Sequence, residues 1–88
     1  MNSKHRKTLA GIFAVPTKGT LEWARIEALL VAIGCEVQEG KGSAVTFRKD
    51  GLSLFVHRPH PGKESLHYRV ERARDFLEQL NLMQELDT

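Results

Sequence analysis

Three of the four histidines fall within eleven residues, at His57, His60 and His67. Imidazole exchanges protons near neutrality, so histidines clustered beside cations suit acid–base work on a charged substrate. The cations are Arg58 and Lys63. Upstream, the loop holding Lys41, Gly42 and Ser43 adds an ammonium, a hydroxyl and backbone N–H groups, which are donors to phosphate oxygens. His57 is therefore a candidate base or acid and His60 its assistant, with Ser43, Gly42, Arg58, Lys63 and Lys41 as phosphate ligands. The plainer alternatives are that His57 is an exposed strand-end histidine without a role, and that His60, between two prolines, only shapes a loop. No cysteine cluster and no carboxylate at ligand spacing accompanies these histidines, so neither a metal nor another cofactor is expected.

The residues that must position this set read as helices and strands. Leu9, Ile12 and Phe13 have helical spacing after a cap at Ser3, in a segment that stops at Val15-Pro16. Trp23, Ile26, Leu30 and Ile33 form a stripe on a helix over 20–33, capped by Thr20 and ended by Gly34. Short strands follow at 35–39, 44–49 and 52–58. The first two are joined by residues 40–43 and the last two by Asp50-Gly51, a strong two-residue hairpin turn. Pro59 and Pro61 end pairing, and a last helix runs from near Ser65 to about Leu80, with Asn81 as its left-handed stop. The expected fold class is α+β, (α)αβββα, with a three-stranded antiparallel sheet and helices packed on one face.

The turn fixes a register. A two-residue loop pairs Lys49 with Leu52, Phe47 with Leu54, Val45 with Val56 and Ala44 with His57. His57 then lies on the outer sheet face opposite a small alanine, beside the glycine-rich loop, and Thr46 faces Phe55 on that same face. A slip of one residue would bury His57 and expose Phe47. Phe55 and Thr46 are candidate partner-binding residues, because an aromatic ring on an open sheet face invites a partner or a second copy of this chain. The N-terminal helix folding over Phe55 is the alternative. Trp23 and Cys35 read as core residues.

Bulk properties set the frame. Eighty-eight residues with 41% hydrophobic and 27% charged side chains make a single domain rather than a disordered chain: an extension over 1–19, a core over 20–82 and a tail over 83–88. One cysteine cannot form an internal disulfide, and no apolar run approaches a membrane span, so a reducing cytoplasm is expected and a membrane is not. The formal charge of +2 permits a nucleic-acid partner without demanding one. Lys4, Arg6 and Lys7 read either as a salt-sensitive phosphate contact or as a solubilising arm. Arg69, Arg72 and Arg74 form either a phosphate-tracking ridge or a solvated face balanced by Glu71, Asp75 and Glu78.

Taken in order, the helix, the Glu-Gly-Lys-Gly-Ser hairpin at 39–43, the strand leading into Pro-Gly-Lys-Glu at 61–64 and the final helix resemble the HicA family of toxins from type II toxin–antitoxin pairs. The resemblance covers about 20–82. It implies a double-stranded-RNA-binding-like fold, metal-independent cleavage of mRNA and control by a HicB-like antitoxin. That family carries its histidine directly after the Gly-Ser of the second strand, where this chain has Ala44. Cβ atoms of directly opposed residues lie roughly 4.5–5.5 Å apart, so His57 could supply an imidazole from across the strand pair. Three readings follow: an RNA-cleaving toxin, a catalytically inactive relative that binds RNA or antitoxin, and a protein-interaction module that ignores RNA.

Overall fold

The computed structural model describes residues 1–16, 21–59 and 67–82. Its elements are α1 (Ser3–Ile12), α2 (Trp23–Ala32), β1 (Glu36–Glu39), β2 (Ala44–Lys49), β3 (Leu52–His57) and α3 (His67–Gln79). The sheet is antiparallel with strand order β1-β2-β3, which gives the α+β order αα-βββ-α.

The β2–β3 hairpin follows from its turn. Asp50 and Gly51 both have positive φ, at 52° and 79°, the conformation in which a two-residue loop matches the twist of its strands. The observed pairs Lys49–Leu52, Phe47–Leu54, Val45–Val56 and Ala44–His57 are those expected. Val45, Phe47, Leu54 and Val56 are buried against the helices, whereas Phe55 is 47% exposed on the other face. All four residues of β1 are exposed, so this edge strand adds width rather than core.

The helices complete the core with stripes at helical spacing. α2 buries Trp23, Ile26, Leu29 and Leu30, and α3 buries Val70, Ala73, Phe76 and Leu77. Trp23 meets Phe47 at 6.1 Å between ring centroids, joining α2 to the sheet. Leu29 belongs to this stripe although the three- and four-residue spacing first traced passed over it. Ile33 only flanks the core. α2 closes with paired bonds: Gly34 N–H donates to Val31 O, and Cys35 N–H to Leu30 O. Its start differs from expectation. The helix begins at Trp23 with Glu22 at the cap position and no side-chain cap, while Thr20 lies outside the described residues. β1 begins at Glu36, leaving Cys35 as a buried joint. Ser65 also lies outside the described residues, and Asn81 takes the left-handed stop at φ 61°.

α1 is built into the same core. Leu9 and Ile12 are fully buried, Asn2 rather than Ser3 caps the helix through an acceptor for His5 N–H, and the helix packs on α2 and α3. Arg74 of α3 donates from Nε to Ile12 O and from a terminal nitrogen to Ala14 O, closing the C-terminal end of α1. An arm that frays in solvent is therefore not what this segment forms.

Candidate functional site

The free face of the sheet carries Thr46 and Arg48 from β2 and Ser53, Phe55 and His57 from β3, because side chains of one strand alternate between faces. His57 stands at the end of β3, where the backbone leaves the sheet but keeps one more bond, Arg58 N–H to Ser43 O at 2.9 Å. That bond brings residues 40–43 alongside His57. Ser43 Oγ and His57 Nδ1 are 3.2 Å apart. If the hydroxyl accepts from Nδ1–H, Nε2 is left unprotonated and faces out as a base. If the hydroxyl donates, Nε2 carries the proton and acts as an acid. One hydroxyl thus supports either role. The Phe55 ring is 5.3 Å from the imidazole at an interplanar angle of 83°, an edge-on contact that limits the swing of both rings.

A cation reaches this corner from the last helix. Arg69 Nε donates to His57 O at 2.8 Å, and its guanidinium lies 4.9 Å from the Tyr68 ring centroid. The bond uses one edge of the guanidinium and leaves its terminal nitrogens with no partner of their own among the described residues. Arg69, one of three arginines read as a ridge or a solvated face, is the one placed at the histidine.

Arg58, expected among the phosphate ligands, is placed away from His57 and paired with two carboxylates. It shares the parity of Leu54 and Val56 and so turns to the helix side of the sheet, where Nε and one terminal nitrogen donate to Glu27 at 2.8 and 2.9 Å. The two terminal nitrogens donate to Glu39 at 2.6 and 2.8 Å. Trp23 Nε1 also donates to Glu27, at 3.0 Å. Those hydrogen bonds push the Arg58 pKa above its ordinary value and hold the Glu39 carboxyl below the usual carboxylate range. Arg58 is a structural clamp joining α2, β1 and the end of β3. The signal was present in the sequence, since period-two alternation separates position 58 from 57.

The remaining expectations sort by position. Gly42 and Lys41 are exposed in the loop that carries Ser43, with Gly42 at φ 59°. Thr46 is half-buried beneath Phe55, its cross-strand partner. Ala44 is buried, tucked under the Gly40 backbone so closely that a Cβ on Gly40 would lie 3.0 Å from its own. His60 and Lys63 lie outside the described residues. Among the described residues, no group of three or more histidine, cysteine, aspartate or glutamate side chains could hold a metal ion, and no helix is long and apolar enough to cross a membrane. The Cys35 thiol is pushed up in pKa, chiefly by burial, so it is a poor nucleophile.

A small α+β protein with a helix-backed three-stranded sheet, bearing a serine–histidine pair at one corner of its open side with an arginine bonded to the histidine's backbone, is the class these observations define. The family model described as the HicA toxin of bacterial toxin–antitoxin systems matches residues 23–82, and the chain belongs to that family. It is thus a toxin-type component of such a system, and α1 lies outside the matched segment. No curated protein and no solved structure matches the chain.

Proposed function

We propose that the protein binds mRNA in the cytoplasm and cleaves it without a metal, and that a HicB-like antitoxin restrains it. The observation that carries this reading is the Ser43–His57 pair, an imidazole held by a hydroxyl on an open face beside an arginine. RNA supplies its own nucleophile, the 2′-hydroxyl, so the protein needs only to move protons and meet charge. His57 takes the 2′-hydroxyl proton, and the 2′-oxygen attacks the adjacent phosphorus. The 5′-oxygen then leaves with a proton from an acid, leaving a cyclic phosphate and a free 5′-hydroxyl. His60 is the candidate acid, and Lys63 a further cation. Arg69, Lys41 and the backbone N–H groups around Gly42 meet the charge that builds on phosphorus.

RNA cleavage in EDTA by wild type and His57→Ala tests this. We expect cleavage by wild type and a loss on the order of 100-fold or more in His57→Ala, with unchanged melting temperature. Cutting by His57→Ala at the wild-type rate overturns the assignment. A second reading rests on Ala44, which occupies the position where the family keeps its histidine. On that reading the protein binds RNA or antitoxin without cutting, and a wild type that binds RNA but does not turn it over decides for it.

A further inference from the structure

We infer that Phe55 is a stacking platform for one unpaired RNA base, placed so that the phosphate next to that base falls at His57; this rests on the RNA-directed reading above. Phe55 and His57 are two residues apart on β3 and share its outer face, with ring centroids 5.3 Å apart. Side chains this close on one face can engage the base and an adjacent phosphate of one RNA strand together. Phe55 is 47% exposed although it is the large apolar side chain in the middle of the sheet's open side. An aromatic ring left uncovered beside a proton-transfer group has a use that burial would abolish.

The surroundings favour a base over an apolar protein segment. Around the ring are polar side chains, not a greasy patch. Thr46 lies directly opposite, Ser53 and Arg48 form the next pair, and Gln38 of β1 accepts a hydrogen bond from Arg48. Hydroxyls and a side-chain amide can meet the edges of a base, and the π-face of Phe55 can take any base by stacking. Charge agrees with this choice. Among the described residues, Arg58 holds Glu27 and Glu39 on the helix side of the sheet, while Arg69 meets the His57 backbone and Lys41 is exposed in the loop that carries Ser43. Those two cations suit a phosphate. Bases inside a duplex are stacked on each other and cannot reach a flat sheet, so the substrate implied is single-stranded.

The test measures binding of mixed-sequence single-stranded RNA, made uncleavable by 2′-fluoro substitution, to wild type, Phe55→Ala, Phe55→Leu and Phe55→Trp. A duplex of the same length serves as competitor. The melting temperature of each variant is measured first, and binding is compared among those that remain folded at the assay temperature. We expect Phe55→Ala and Phe55→Leu to weaken binding by about five- to a hundredfold. Phe55→Trp should restore it, and the duplex should compete poorly. If Phe55→Leu binds as wild type does, the ring acts as generic apolar surface and the stacking proposal fails. If Phe55→Ala binds and cuts as wild type does, the ring faces a protein partner instead, and the proposal fails while RNA cleavage stands. If wild type neither binds nor cuts RNA, the functional reading falls and the platform with it.

Discussion

At the scale of single residues, the site depends on a hydroxyl that does no chemistry of its own. Under the proposed function, Ser43, expected from the sequence as a phosphate ligand, acts instead as a positioning residue through the imidazole it touches. Its replacement, Ser43→Ala, removes one hydrogen bond worth about 1 kcal/mol, so turnover should fall by roughly five- to tenfold. Ser43→Thr, which keeps the hydroxyl, should restore turnover, whereas a merely structural serine would show no such rescue. His57 itself was legible before any coordinates. A two-residue Asp-Gly turn and the parity of Val45, Phe47, Leu54 and Val56 admit only one pairing, and that pairing puts His57 against Ala44. Arg69 was not legible, because its place depends on where α3 comes to rest after residues 60–66, and helical periodicity gives a helix's face without its distance from a strand end. The side of the sheet on which Arg58 lies was legible from alternation alone, since its parity points to the helices, where two carboxylates hold it.

Elements stabilise this corner in two ways. Arg58 ties β3 to α2 and β1, and Arg58→Met keeps the aliphatic reach of the side chain while losing its ionic bonds. Such a variant should lose about 1–2 kcal/mol in urea unfolding, because the clamp is only partly shielded from water. α1 supports the corner from further away, through the core behind the sheet. Leu9→Ala should cost about 2–5 kcal/mol, the usual consequence of emptying a fully buried leucine site, even though Leu9 is outside the family-matched segment. A melting temperature equal to wild type would show that α1 is not part of the cooperative unit. The helical spacing of Leu9, Ile12 and Phe13 announced this helix. What the spacing lacked was a partner, since Arg74 reaches Ile12 and Ala14 from 62 and 60 residues away and nothing local predicts it.

For the whole molecule, the same clamp sets an acid limit. Arg58 holds the Glu39 carboxyl below its ordinary value of 4.5, chiefly by hydrogen bonding, so the folded protein binds fewer protons there than the unfolded chain does. That contribution is fully present above the unfolded value and is lost as pH falls through the lower, folded one. Urea midpoints at pH 7 and pH 3 should therefore draw together in Glu39→Gln relative to wild type, and equal spacing in both would remove Glu39 from the account. The Arg74 bonds to Ile12 and Ala14 have a different consequence, which concerns timing. α1 is made well before α3, and its buried side is completed by packing on α2 and then on α3, whose Arg74 bonds Ile12 O and Ala14 O. Leu9 and Ile12 therefore reach full burial only once α3 is in place. A protein built this way passes most of its synthesis with this core open, and it closes only after the helix that carries Arg69 to His57 has emerged.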